Sequence, residues 1–380
     1  MLEEAGFEVE TRSGALRGAD LTAALEGVAL LGIRSNSKVT RAVIESASDS
    51  LLAIGAFCIG TNQIDLEAAR TRGIAVFNAP YSNTRSVVEL AVSEIIALSR
   101  RMTDKSMQLH QGVWKKTAEG SHEVRGKTLG IVGYGNIGSQ LSVVAEALGM
   151  SVVYYDIADK LALGNAKRAD SLEHLLGASD FVTLHVDGRP GNAGFFAANE
   201  VAAMKPGALF LNLSRGFVVD PDALADGLRS GQIGGAAVDV YPTEPDNGEA
   251  FTSPLQGLPN VIMTPHIGGS TEEAQVDIGH YVATKLSDYA LGGSTVMSVN
   301  LPNVAVPERQ GRRVAHIHQN VPGVMAQLNA VLSKHQANIA FQSLATSGEL
   351  GYVVTDVTDA EPGLVRTIAA MPETIRIRVI

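Results

Sequence analysis

The sequence predicts an α/β chain in three parts: a doubly wound parallel sheet inserted into a second α/β domain, followed by a small β-α-β-β-α-β module. Three observations carry that prediction. Apolar runs of strand length alternate with helical stretches from about residue 28 to residue 265, the pattern of βαβ units on parallel sheets. The stretch "LGIVGYGNIGSQ" at 129–140 places three glycines between a strand and a helix. After the proline-bearing segment "SVNLPNVAVPERQG", the last seventy residues follow a different grammar of four strands and two helices.

Composition sets the frame for these elements. A chain of 380 residues, 45% of them apolar, exceeds what one hydrophobic core accommodates. Forty acidic residues against thirty Lys and Arg give a net charge of −10, which argues against nucleic acid or an anionic membrane as partner. No apolar run is long enough to cross a bilayer, and the opening "MLEEAGFEVE" has neither the basic nor the apolar region of a secretion signal. The single cysteine, Cys58, can form neither an intrachain disulfide nor a thiolate metal cage. It reads as a buried structural residue in a reducing cytoplasm, and no metal is expected.

Taken in order, "LEEAGFEVE" reads as the tail of a helix entering a strand, so the first sheet is expected to lack an earlier strand. "VALLGIRSNS", "LLAIGAFCIGTN" and "GIAVFNAPYSN" each read as a strand followed by a polar loop. "TRSVVELAVSEIIALSRRM" (84–102) has helical apolar spacing with basic residues at its C-terminal end, and is expected to cross into the second domain. Six strands follow, in "KTLGIVGYG", "MSVVYYD", "SDFVTLHV", "GALFLNLSRG", "GGAAVDVY" and "NVIMTPH". The helix in "STEEAQVDIGHYVATKLSDYALGG" would return the chain to the first domain, and "SVNLPNVAVPERQG" reads as a linker. The expected boundaries are 1–83 with 270–310 for the first domain, 84–269 for the inserted one and 311–380 for the module. In the last strand, "TIRIRVI" alternates apolar and charged residues as a half-buried strand does. An inserted domain crosses twice, and the crevice between its lobes is the expected active site.

The chemistry concentrates at strand ends. Gly133 and Gly135 let the backbone turn and approach a pyrophosphate, while Gly138 lets helix pack on strand; the helix N-terminus attracts the anion. Eighteen residues after Gly138, Asp156 ends the next strand, placed to accept the adenosine ribose hydroxyls and repel a 2′-phosphate. No arginine follows it closely, so NAD is expected rather than NADP. "NLSRG" carries Arg215, whose planar fork suits a carboxylate. "DVYPTEP" carries Asp239 and Glu244, and "TPHIGG" carries His266. Oxidising a secondary alcohol needs a base for the hydroxyl proton, and a histidine backed by a carboxylate supplies one near neutral pH.

Together "GYGNIG…D", "NLSRG", "DVYPTEP" and "TPHIGG" resemble the signature set of the D-isomer-specific 2-hydroxyacid dehydrogenase family. The resemblance implies a Rossmann-type NAD domain inserted into a flavodoxin-like substrate domain. It assigns Arg215 to the substrate carboxylate and the Glu244–His266 pair to acid–base chemistry, with nucleotide contacts at Asn136, Ile137, Leu213, Ser214, Asp239, Gly268 and Gly269. Glu244 separates the chain from the branch related to formate dehydrogenase, which carries Gln there. "GIRSNS", "AIGAFCIGTNQID", "FNAPYSNTRSVVEL" and "QGVWKK" resemble the bacterial members that oxidise D-3-phosphoglycerate to 3-phosphohydroxypyruvate at the start of L-serine synthesis. That likeness runs over essentially the whole chain, which begins about one strand and helix later than these relatives. It implies that Arg34, Ser35, Asn83 and Lys116 surround the phosphate and carboxylate of the substrate. Residues 311–380 resemble an ACT domain, in which "HIHQNVPGV" and "ANIA" place His318, Asn320 and Asn338 around an inhibitory L-serine between two modules. A homotetramer built from cofactor-domain and ACT contacts is implied as well. Two other readings stay open: a reductase of 2-oxoglutarate, hydroxypyruvate or glyoxylate, and a non-enzymatic NAD-sensing protein like the corepressors that share this fold.

Overall fold

The computed structural model describes residues 1–245, 248–358 and 362–380. The chain divides into two compact units, Met1–Ser82 with Val276–Ile380, and Asn83–Gln275. The first unit opens on a parallel sheet, β1 (Leu30–Ile33), β2 (Ala53–Ala56) and β3 (Ala75–Phe77), in that spatial order. Small residues fill β2 because the helix ending at Ser287 lies against it: a Cβ on Gly55 would stand 2.7 Å from Val282 and 2.8 Å from Leu286. The expected strand in "FEVE" does not form. Residues 7–10 pair with no edge, and Val9 is 39% exposed, so alternation there has no apolar surface to settle on.

Among the described residues, the second unit holds seven parallel strands: β4 (Thr128–Val132), β5 (Ser151–Tyr155), β6 (Lys167–Arg168), β7 (Phe181–Leu184), β8 (Ala208–Asn212), β9 (Ile233–Val238) and β10 (Val261–Met263). Their order, β10-β9-β8-β7-β4-β5-β6, reverses direction between β4 and β7, the switch point at which doubly wound sheets bind ligands. Six strands are read from the sequence; β6 is the seventh, invisible there because two exposed cationic residues carry no apolar signal. One face of the sheet is covered by a cluster including Leu175, Val182 and Phe210, the other by one including Val88, Ile95 and Leu141. The helix Thr84–Arg100 forms as expected, turns at Arg101 (φ +49°), and is followed by a helix Met102–His110 with no buried residue.

The C-terminal module forms as read: β11 (Arg312–Gln319), β12 (Asn338–Ser347), β13 (Leu350–Thr358) and β14 (Thr374–Val379) make an antiparallel sheet ordered β12-β13-β11-β14, with helices Val324–Lys334 and Leu364–Ala369. One face packs on those helices through Leu328, Val353 and Ile368. The other joins the first sheet in one core, where Ala315, Ile317 and Tyr352 meet Ala53, Phe77 and Val282. This shared core overturns the expected solvent face of β14. Arg376 donates to the Leu51 carbonyl at 2.7 Å, and Arg378 donates to the Tyr289 carbonyl at 2.8 Å with its guanidinium 4.2 Å from that ring's centre.

The segment read as a linker is also built in. Val299 N–H donates to the Val76 carbonyl, while the Asn300 side chain accepts from Val76 N–H at 2.8 Å and donates to the Ile74 carbonyl at 2.9 Å. Phe77 and Ser298 make an antiparallel bridge, and Thr295, fully buried, ties back to Val304. The segment thus covers the open edge of β3. Its prolines exclude helix, which the composition shows; that it satisfies a strand edge depends on where that edge lies.

Candidate active site

The three glycines of the turn after β4 answer to three different constraints. Gly133 has φ +92°, and a Cβ there would stand 2.5 Å from the His185 carbonyl oxygen. A Cβ on Gly138 would stand 2.4 Å from the Gly133 carbonyl oxygen, so the helix Asn136–Ala147 could not close on the turn. Around Gly135 nothing lies within 4 Å of the Cβ position. Its backbone therefore faces open space at the start of that helix, beside the exposed Asn136 and half-buried Ile137, where N–H groups and helix dipole favour an anion. Asp156, just past β5, accepts from Tyr134 N–H and Ala158 N–H, both at 2.8 Å, and so braces the turn. These features fit a dinucleotide pyrophosphate. Gly133→Ala is expected to cost about 1–3 kcal/mol of stability through strain and contact with a backbone carbonyl, and to weaken NADH binding; a thermal melt and a fluorescence titration read the two effects.

After β8, Asn212 organises the loop bearing Arg215. Its Oδ1 accepts from Ser214 N–H (3.1 Å) and Oγ (2.8 Å), and its Nδ2 donates to the Arg215 carbonyl at 3.1 Å. Leu213 and Ser214 are buried. Arg215 Nη1 donates to the Ser214 carbonyl at 2.7 Å. The next residue, Gly216, lies so close to the Tyr241 backbone that no side chain fits, which sets the arginine turn against the segment carrying Glu244.

Glu244 accepts from Tyr241 N–H at 3.1 Å through Oε1, and its Oε2 lies 2.8 Å from His266 Nδ1. The hydrogen bond and charge of Glu244 raise the His266 pKa above its ordinary value, against burial and the repulsion of Arg215. Burial pushes Glu244 the other way, but its bond to His266 and the nearby charges of His266 and Arg215 prevail, and its pKa is lowered. With Nδ1 held by the carboxylate, Nε2 is the nitrogen left to exchange a proton. His266 sits at φ +54°, unusual for a residue with a side chain. Asp239 keeps it there: its Oδ1 accepts from Thr264 Oγ1 (2.6 Å) and Ile267 N–H (2.8 Å), its Oδ2 from Gly268 N–H (2.8 Å). Gly269 leaves room for the Asn83 amide, whose Oδ1 is buried without a hydrogen-bond partner among the described residues.

Behind Asp239 lies Glu94, 2% exposed, with neither carboxylate oxygen hydrogen-bonded among the described residues. Burial first, and the charge of Asp239 second, push its pKa up to about 8. The available signal in the sequence is a carboxylate within the apolar stripe Val87, Ala91, Ile95, Leu98.

The structure therefore brings Arg215, Asp239, Glu244, His266, Gly268, Gly269 and Asn83 into one region of the second unit. Lys116 is exposed beyond the helix Met102–His110, two residues after Trp114, which is 82% exposed. Arg34 and Ser35 are exposed after β1 in the first unit. In the module, His318 is 2% exposed, its Nδ1 2.8 Å from the Gln319 carbonyl and its Nε2 without a partner among the described residues, while the exposed Asn320 donates to the Gly348 carbonyl at 3.0 Å. Asn338 is not near them in the same chain. His318 pairs with Gly351 and Asn338 with Thr358, seven residues apart along β13, or roughly 24 Å at the usual strand rise. Cys58 is half-buried rather than buried, with Gln63 Nε2 3.2 Å from its sulfur. Among the described residues, no helix is long and apolar enough to cross a membrane.

The family model described as the NAD-binding domain of D-isomer-specific 2-hydroxyacid dehydrogenases matches residues 92–268, and one described as an AHAS small subunit-like ACT domain matches 314–376. The chain is 50% identical over 384 residues to D-3-phosphoglycerate dehydrogenase of Haemophilus influenzae, covering 100% of this chain and 93% of that one. It is 48% identical over 382 residues to D-3-phosphoglycerate dehydrogenase 1 of Saccharomyces cerevisiae, covering 97% and 81%. A solved structure of D-lactate dehydrogenase from Aquifex aeolicus, complexed with NAD and lactic acid, matches with a TM-score of 0.67 at 25% identity over 74% of this chain and 90% of that one.

Proposed function

The chain belongs to the D-isomer-specific 2-hydroxyacid dehydrogenase family, and from that premise we propose that it oxidises D-3-phosphoglycerate to 3-phosphohydroxypyruvate, the first step of L-serine synthesis. The observation that carries the chemistry is the Glu244–His266 pair at 2.8 Å, with Arg215 close enough to act on both. NAD, when bound along the glycine turn, supplies the hydride acceptor. His266 Nε2 takes the proton of the C2 hydroxyl, and Glu244 stabilises the imidazolium that results. Arg215 grips the carboxylate beside C2, fixing which face of the carbon is presented. In the reducing direction His266 returns the proton. Asn136, Ile137, Asp156, Leu213, Ser214, Asp239, Gly268 and Gly269 are the residues we assign to the dinucleotide, and Arg34, Ser35, Asn83 and Lys116 to the anionic groups of the substrate. Two anions in the substrate call for cations in a protein whose overall charge is −10.

A panel of 2-oxo acids with NADH tests the substrate. The highest kcat/KM is expected with 3-phosphohydroxypyruvate; faster turnover of 2-oxoglutarate, hydroxypyruvate or glyoxylate would reassign it. The pH dependence follows from the charge on His266. Oxidation requires the neutral imidazole, so its rate rises with pH through the His266 pKa, while reduction requires the imidazolium and falls over the same range. Because Glu244 holds that pKa above its ordinary value, Glu244→Gln is expected to move both limbs to lower pH, read from kcat/KM profiles.

L-serine is our proposed inhibitor, bound by His318 and Asn320 of one module and Asn338 of another. The separation of these residues within one chain supports a site shared by two copies. A homotetramer is consistent with Met107, Leu109, Val113 and Trp114 standing exposed on one stretch. A cytoplasmic setting fits a chain with a single cysteine. Serine titration of the activity checks the regulatory part.

A further inference from the structure

The segment carrying Glu244 also walls a cavity of about 180 Å³ inside the second unit. Its floor lies where β8 and β9 end, at the buried Asn212, Val238 and Val240, with Leu224 and Leu255 buried beside them. Tyr241 and Phe251 give it an aromatic wall, their rings edge to face with centres 4.6 Å apart. Pro242, Thr243 and Thr252 also line it and are exposed, so the cavity opens to solvent there. The polar groups of floor and wall are already engaged. Asn212 accepts from Ser214 and donates to the Arg215 carbonyl, and the Tyr241 hydroxyl donates to the Val238 carbonyl at 2.8 Å. Among the described residues, no charged side chain and no part of the glycine turn lines the space. A guest there gains from contact and desolvation rather than from hydrogen bonds, which selects against ions and sugars.

We propose that this cavity binds a single uncharged aromatic ring, next to the catalytic pair but apart from the dinucleotide and the substrate. An apolar cavity of about 150 Å³ lined by aliphatic and aromatic side chains admits benzene, so the volume suits one ring and no more. Tyr241 and Phe251 can meet that ring edge to face, as they meet each other. The Tyr241 ring faces the cavity while its backbone N–H holds Glu244 Oε1 at 3.1 Å, near the long limit of such a bond. A ring pressing on Tyr241 therefore loosens Glu244, which supports the charge on His266, and turnover falls while the cofactor still binds. Binding in the cavity is independent of the reaction assigned to the chain; its effect on turnover rests on that reading.

Thermal melts of the whole protein with benzene, up to its aqueous solubility, test the site. Benzene is expected to raise the melting temperature by about 1–3 °C, as a ligand of roughly millimolar affinity does. Val219 lines the cavity, and Val219→Phe, which fills it, is expected to abolish the rise. Val219→Leu is the milder filling variant should the larger one fail to fold, and is expected to reduce the rise. A fluorescence titration of NADH is expected to give the same dissociation constant with and without benzene, while kcat for 3-phosphohydroxypyruvate falls by about twofold or more. The inference is overturned if benzene leaves the wild-type melt unchanged, if it raises the melts of the filled variants equally, if it displaces NADH, or if kcat is unchanged where the melt shows binding. If the protein reduces no 2-oxo acid, the dehydrogenase reading falls while the melts still decide the cavity.

Discussion

Replacing His266 by alanine is expected to lower turnover by about 10²–10⁴-fold, the usual worth of a positioned general base, while NADH still binds. The dinucleotide turn and Asp156 lie on other loops, and the loop after β10 stays anchored because Asp239 holds Thr264, Ile267 and Gly268 rather than the imidazole. The backbone at 266 has φ +54°, a conformation that alanine tolerates less well than histidine. His266→Asn is the matching control, since asparagine tolerates that conformation but cannot take the proton. Steady-state reduction of 3-phosphohydroxypyruvate alongside a fluorescence titration of NADH separates chemistry from binding. Near-normal rates in both variants would end the assignment of proton transfer to this residue.

Arg313→Met is expected to destabilise the first unit by about 3–5 kcal/mol, because it strands a buried carboxylate. Arg313 and Asp356 are 2% and 0% exposed, joined by bonds of 2.6 and 2.7 Å. Arg313 also donates to the carbonyls of Gly292 and Pro307, both at 3.0 Å, and Gln310 N–H donates to Asp356 at 2.9 Å. Burial alone would raise the Asp356 pKa; the bond to Arg313 leads the effects that outweigh it, and the pKa is lowered. A carboxyl with a lowered pKa in the folded state stabilises above its unfolded pKa and loses that contribution as pH falls through the folded one. Without Arg313 the shift reverses, so the deficit of the variant should shrink as acid neutralises Asp356. Urea melts at neutral and mildly acidic pH measure both effects. Adding Asp356→Leu should recover much of the loss. A deficit below about 1 kcal/mol, or one that grows in acid, would mean the pair is not the buried lock its geometry describes.

Motif and structure agree at the site wherever the constraint is local, and part where it is not. The glycine turn is legible because its constraints are local: an apolar strand, a backbone that must turn, and a helix that must pack close. His266 and Glu244 are legible as motif members, but their 2.8 Å separation joins segments 22 residues apart. Glu94 passes unnoticed although its place among the apolar positions of the helix is visible, because the sequence does not show that the neighbouring elements close over it. Arg168 reaches the Asp156 carbonyl through the pairing of β5 with β6, which joins residues distant in the chain.

By itself the sequence determined the periods of burial, the turns and the chemistry available at each strand end. From these come the strands, the inserted Rossmann-type sheet and the antiparallel module. Only the tertiary structure decided which charged residues meet water and which meet protein: Arg376 and Arg378 alternate like solvent-facing residues yet donate to backbone carbonyls, and the proline-rich stretch around Asn300 covers a strand edge instead of spanning a gap. The physical reason is that periodicity and turn chemistry act between neighbours in the chain. Desolvation and hydrogen-bond pairing depend on whatever surface the rest of the fold brings alongside.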